Sequence, residues 1–255
     1  MNGPEESRII DAADALLDAR RTCRPIDNLP ANLQPQSLDE AYAIQDRVMA
    51  SLGEIGGWKI GAPSPDAMPM FAPMPLAWIA ATGSMLAGER WRFRGLEAEI
   101  AFLVGRDLPP RAQPYTREEV LAAMASCHPA IEVLEPAFAD PAQVPRLSAI
   151  ADLQMHGGFV YGPAAPGWQS IDFSKEHVLL VVDGVIRVEG TGSNTAGDLL
   201  RLLPWLANEG ATRTGGLRKG QWITTGSWTG NSLGSPGSVV EVCFDTAGRA
   251  DLRFA

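Results

Sequence analysis

The stretch Leu96-Glu97-Ala98-Glu99-Ile100-Ala101-Phe102-Leu103-Val104-Gly105-Arg106-Asp107 decides how the chain is read. Its run of Ala, Ile, Phe, Leu and Val has the texture of a buried strand, yet it carries two acids two positions apart. Side chains on a strand alternate faces, so Glu97 and Glu99 point the same way, with Cα atoms roughly 6.6 Å apart at about 3.3 Å per residue. Two carboxylates at that spacing can lean onto one cation. On a helix, positions i and i+2 diverge and could not share an ion. Ala98, Ile100, Phe102 and Val104 then face the core. Glu97 and Glu99 face a cavity, with Ala101 and Leu103 beyond them on the same side. A solvated strand face is the plain alternative for any Glu-x-Glu, but the apolar Ala101 and Leu103 argue against an open surface.

A second apolar stretch, Ala130 to Pro136, is expected to be a short strand and offers further acids. Glu132 and Glu135 fall on opposite faces of it, so one of them can join the first pair. Three carboxylates with water suit a hard ion such as Mg²⁺ or Mn²⁺. The three histidines, His128, His156 and His177, lack zinc-ligand spacing.

Lys59 lies in Gly56-Gly57-Trp58-Lys59-Ile60-Gly61. It is either a surface lysine with its stem on Trp58 or a desolvated one. Desolvation would lower its pKa and suit it to proton transfer. In Ala151 to Gly162, Gln154 and His156 precede a double glycine; a lone histidine is more often structural than catalytic. The stretch Thr224 to Gly230 is a Ser/Thr/Gly turn that can offer hydroxyls and N–H groups to a carboxylate.

The rest of the chain frames these residues. Residues 1–55 read as helical: Ile9, Ile10, Ala13, Leu16 and Leu17 recur at helical spacing, and Ser37 with Glu40 forms a capping-box pattern opening a helix that Gly53 ends. The five prolines between Pro63 and Trp78 predict an irregular loop. Thr116 and Glu119 form a second capping box, with a helix expected to about Ser126. His177 to Gly190 reads as a hairpin turning at Asp183-Gly184. Leu199 to Asn208 reads as a helix capped by Asp198 and interrupted by Pro204. Helices first, then mixed strands, make the fold class α+β, or a mixed sheet with an antiparallel majority. No linker is long enough to separate domains.

With 255 residues, a net charge of −9 and no basic block, nucleic acid and anionic membranes are poor partners. Three scattered cysteines, a polar N-terminus and the absence of a 20-residue apolar run point to a cytoplasmic protein.

Taken together, GWKIGAPS (57–64), LEAEIAFLVGRDL (96–108), HPAIEVLE (128–135), IADLQMHGGFVYG (150–162), PWLANEG (204–210) and GQWITTGSWTG (220–230) resemble the 2-keto-4-pentenoate hydratase / 4-oxalocrotonate decarboxylase group. That group lies in the fumarylacetoacetate hydrolase superfamily, and the resemblance runs from about residue 35 to the C-terminus. It implies a mixed β-roll core over residues 56–255, an N-terminal helical lobe over 1–55, a Mg²⁺ or Mn²⁺ ion and a homo-oligomer that can associate with a pathway enzyme. By matching motif, Glu97, Glu99 and Glu132 are the implied metal ligands and Lys59 the active-site lysine, with His156 as a partner in proton transfer. Ser227 and Thr229 fall in the loop that approaches the substrate carboxylate, and Gln154 joins the substrate side. The acidic stretch that follows the lysine motif in hydratases is replaced here by Pro69 to Trp78, and LQMH (153–156) stands where relatives often have Asn, so a different pocket is expected. The implied activity is that of a lyase on a small 2-oxo acid or its dienol, foremost hydration of 2-hydroxypenta-2,4-dienoate. Alternatives on the same enolate chemistry are decarboxylation of 2-oxohex-3-enedioate and C–C hydrolysis of an acylpyruvate. The alternative from another class is a non-catalytic partner subunit.

Overall fold

The computed structural model describes residues 4–255. Residues 1–3, where the expected lobe and the polar N-terminus begin, lie outside the described residues. Two helices open the fold, α1 (Pro4–Thr22) and α2 (Leu38–Leu52). Glu5 and Glu6 in the first turn of α1, and Arg20 and Arg21 in its last, match the helix dipole. The helices bury Ala12, Ala13 and Leu16 against Ile44, Val48 and Met49. Ser37 caps α2 by accepting from Glu40 N–H, and Gly53, at φ 108°, ends it. Only half of the expected capping box forms: the Glu40 carboxylate takes the N–H of Gln36, 2.9 Å away, and also meets Arg8.

Among the described residues thirteen strands follow in two sheets. They are β1 (Ile55–Gly61), β2 (Met70–Pro75), β3 (Ile79–Ala81), β4 (Ser84–Leu86), β5 (Gly95–Val104), β6 (Met124–Leu134), β7 (His156–Tyr161), β8 (His177–Val182), β9 (Val185–Thr191), β10 (Trp222–Thr224), β11 (Ser232–Leu233), β12 (Val239–Phe244) and β13 (Gly248–Phe254). The first sheet runs β2-β1-β10-β5-β6-β7-β3, with β11 also on β5; the second runs β4-β13-β12-β8-β9. The β1–β10, β3–β7 and β4–β13 pairs are parallel and the others antiparallel, the expected majority. The main core lies between the sheets. There Leu96, Ala98, Ile100 and Phe102 of β5 meet Val178 and Leu180 of β8, Val240 and Val242 of β12, and Phe254 of β13. One face of β5 is thus spent on the core, which leaves the glutamate face to the other side.

Three expectations need correction. Part of the proline-rich segment is a strand: β2 pairs only with β1, and at a sheet edge a missing N–H is tolerated, so Pro73 and Pro75 fit. The Thr116–Glu119 capping box forms, but its helix α3 (Arg117–Leu121) stops well short of Ser126. The strand expected from Ala130 starts at Met124, because β6 pairs with β5 along its whole length and ladder bonding overrides the helical preference of Ala122 to Ser126. The hairpin forms as read, with Asp183 at φ 55° and Gly184 at φ 75°, the left-handed pair that a two-residue turn requires.

Candidate active site

Register brings the acids together. Lys59 on β1 lies beside Thr224 on β10, and β10 lies beside β5. Across the β5–β6 ladder Glu97 is directly opposite Glu132. One carboxylate oxygen from each of Glu97, Glu99 and Glu132 lies within 4.8 Å of the others. Glu132 is fully buried; one of its oxygens accepts from Lys59 Nζ at 2.6 Å and from His156 Nδ1 at 2.8 Å. Its other oxygen is buried and has no hydrogen-bond partner. Glu99 accepts from the Thr224 hydroxyl and, at 3.0 Å, from Gly226 N–H. Glu97 is the most accessible of the three.

Burial and the Glu132 charge push Glu99 well above the usual carboxylate range and Glu97 up to about 7. Burial would raise Glu132 as well, but the Lys59 ammonium and the His156 N–H outweigh it and hold that carboxyl below its ordinary range. Lys59 corrects an expectation. Burial works to lower its pKa, yet Glu132, Glu97 and Glu99 outweigh burial, and the ammonium is held above its ordinary value. Two partly frustrated acids, a buried oxygen without a partner and an all-oxygen donor set are what a hard divalent ion would satisfy.

The linkage can be tested without the ion. In EDTA, folded Glu97 titrates near 7 against 4.5 for an ordinary glutamate. Between those values the folded state binds more protons than the unfolded one, so this group's contribution to stability falls as pH rises. The Tm difference between Glu97→Gln and wild type, both in EDTA, is expected to widen in the variant's favour from pH 4.5 to 7 and then level off. A difference that stays constant with pH would mean that Glu97 is not perturbed.

Glu97 and Glu99 open onto a cleft of about 240 Å³. Lys59, Glu97, Glu99, Gln154 and Ser227 line it, with Ile60, Ala62, Pro63 and Met70 as an apolar wall. Two expected residues lie elsewhere. His156 is fully buried behind Glu132, its ring 5.9 Å from Trp78, and burial lowers its pKa. It does not line the cleft, and its ring holds the Glu132 carboxylate. Thr229 is committed to backbone: its hydroxyl accepts from Ala98 N–H at 3.1 Å and donates to the Gly230 carbonyl, which pins the loop to β5. Glu135 is committed too, accepting from the N–H groups of Arg92, Phe93 and Arg94. Thr195, which also lines the cleft, has no signal in the sequence around it.

Gln154 sits in an unusual turn. Leu153, Gln154 and Met155 all have left-handed φ, 52°, 51° and 65°, which costs non-glycine residues of order 1–3 kcal/mol each. The Gln154 carbonyl accepts from Lys59 Nζ at 3.1 Å, and its side-chain amide nitrogen is buried without a partner. The turn is clamped from α1. Arg20 donates to the Asp152 carboxylate at 2.7 Å and to the carbonyls of Glu135 and His156, both at 3.0 Å. The double glycine that follows lets β7 approach: a Cβ on Gly157 would lie 2.3 Å from that of Glu135. Arg20→Met leaves Asp152 buried and unpaired, and is expected to destabilise the fold by about 3–5 kcal/mol, read from urea denaturation. A loss below about 1 kcal/mol would show that the clamp is dispensable.

The comparisons with known proteins indicate an enzyme of the lyase type. The chain is 28% identical to a 2-keto-4-pentenoate hydratase of Paraburkholderia xenovorans (strain LB400), over 96% of this chain and 94% of the relative. It is 26% identical to 2-keto-4-pentenoate hydratase 2 of Dechloromonas aromatica (strain RCB), over 96% and 97%. Its fold matches the 4-oxalocrotonate decarboxylase from Pseudomonas putida G7, solved with magnesium and adipate, at TM-score 0.85, 21% identity and 98% coverage of each chain. No family model matches. The chain is thus similar over nearly its whole length to 2-keto-4-pentenoate hydratases and shares its fold with the 4-oxalocrotonate decarboxylase. Among the described residues, no helix is long and apolar enough to cross a membrane.

Proposed function

We propose that the enzyme hydrates 2-hydroxypenta-2,4-dienoate to 4-hydroxy-2-oxopentanoate, using a divalent cation, Mg²⁺ or Mn²⁺, held by Glu97, Glu99 and Glu132. The observation that carries this reading is the convergence of three carboxylates, with Glu97, Glu99 and Lys59 lining one cleft that has an apolar wall and Glu132 buried behind it. When bound, the ion supplies Lewis-acid stabilisation of the charge that develops on the substrate's 2-oxo oxygen. The chain's own residues do the rest. Among the described residues Lys59 is the only cation lining the cleft, and it carries the proton that moves between enzyme and substrate carbon. The Gln154 carbonyl and Glu132 hold its Nζ in place, and His156 holds Glu132. Ser227, at the mouth, is placed to receive the substrate carboxylate. The apolar wall of Ala62, Pro63 and Met70 suits the uncharged vinyl end of a monocarboxylate.

One observation favours the decarboxylase alternative. Arg146 donates two guanidinium N–H groups to the Met70 sulfur, at 3.0 and 3.2 Å, and a swing past Met70 would offer a cation to a second carboxylate. The test is a UV assay following loss of the conjugated absorbance of 2-hydroxypenta-2,4-dienoate, with and without Mg²⁺. Mg²⁺-dependent loss that EDTA stops supports hydration. No loss, together with CO₂ release from 2-oxohex-3-enedioate, would replace hydration by decarboxylation; turnover of an acylpyruvate alone would replace it by C–C hydrolysis. A homo-oligomer in the cytoplasm remains part of this reading, and light scattering of the purified protein tests the assembly.

A further inference from the structure

A second cavity, about 450 Å³, opens where the C-terminal ends of α1 and α2 meet the segment that precedes β5. It shares no lining residue with the catalytic cleft. Its volume is that of a small-molecule site, which typically spans roughly 300–1,000 Å³. Leu17, Leu52 and Trp78 give it apolar walls, and four guanidiniums, those of Arg20, Arg21, Arg90 and Arg92, face one carboxylate, that of Glu135.

The charges do not cancel. Arg20 is paired with Asp152, Arg21 with Asp18 and Arg92 with Glu135. Glu135 is already saturated by three backbone N–H groups. Among the described residues, no carboxylate stands within ion-pair distance of Arg90. Its guanidinium lies 4.4 and 4.5 Å from the ring centres of Trp78 and Trp91 and donates to the Gly157 carbonyl. Burial, and next the charge of Arg20, lower its pKa to about 10. Arg90 is half-buried and keeps most of its N–H donors available to an anion at the wall of an apolar cavity.

We propose that this cavity is a second ligand site, for a small organic monocarboxylate with an apolar body. The carboxylate sits on Arg90 and the body lies against Leu17, Leu52 and Trp78. One guanidinium without a carboxylate partner calls for one negative charge, and the apolar walls favour an organic acid over a bare inorganic anion. The inference does not depend on which reaction the catalytic cleft performs.

The test is calorimetric titration of the full-length, EDTA-treated protein with octanoate, octanamide and inorganic phosphate. EDTA removes any ion in the catalytic cleft that could itself bind a carboxylate. Octanoate is expected to bind once per chain, and at least tenfold more tightly than octanamide or phosphate. Arg90→Gln removes the charge and is expected to weaken octanoate by about tenfold or more. Ser51→Trp, at an exposed helix position on the rim, fills the mouth with every arginine retained and is expected to do the same. It keeps the test decisive should Arg90→Gln fold poorly. Absence of saturable octanoate binding, equal binding of octanamide or phosphate, or octanoate binding that Ser51→Trp leaves intact would each overturn the proposal.

Discussion

Glu97→Gln is expected to eliminate metal-dependent turnover while the chain stays folded. Glu97 is the most accessible of the three acids, and it is pushed up to about 7 by burial and by the charge of Glu132. Neutralising it relieves repulsion in the metal-free protein, so stability in EDTA should hold or rise. The amide oxygen is a poor substitute for a carboxylate on a hard ion. Mn²⁺ affinity, read by calorimetry, should fall by more than the roughly 10–100-fold that follows loss of an outer-shell partner. The UV assay should then show no rate above the metal-free background. A variant that keeps wild-type turnover would remove Glu97 from the metal site and, with it, the reading of the cluster.

Lys59→Met has the second large effect, and it separates two roles. The methionine fills the buried space of the lysine stem without its charge. If Lys59 moves the proton, kcat should fall about 100- to 10,000-fold, the usual contribution of a general acid or base. Mn²⁺ affinity should hold or increase, because the ammonium no longer occupies the Glu132 oxygen 2.6 Å away. If turnover and Mn²⁺ affinity instead fall together, Lys59 acts by positioning Glu132 and the proton comes from elsewhere. Under either outcome the substitution removes the charge that holds the Glu132 carboxyl below its ordinary range.

Much of this was legible in the chain. The two-residue spacing of Glu97 and Glu99 is a local property, since alternation on a strand puts them on one face whatever the strand pairs with. The Asp183-Gly184 turn and the Thr116–Glu119 cap were legible for the same reason: each is a contract between residues a few positions apart. The proline-rich segment misled because proline is judged by the N–H it lacks, and whether that N–H is needed depends on β2 lying at a sheet edge. The start of β6 misled because only its ladder with β5 turns Met124 to Pro129 into strand.

The site divides along the same line. Sequence by itself determined the chemistry available: acids on a strand, a lysine between glycines, a hydroxyl-rich turn, and a motif order resembling one enzyme group. Only the tertiary structure decided which groups meet. Glu97 faces Glu132 through the β5–β6 register, and Arg20 reaches Asp152 across 132 positions to hold the strained turn under Lys59. It also withdrew His156 and Thr229 from the cleft and left Arg90 without a counter-charge at a second cavity. The physical reason is one of range. Alternation and capping act over two to four residues and can be read along the chain, whereas pairing, burial and charge compensation act through space between segments whose proximity only the packed fold creates.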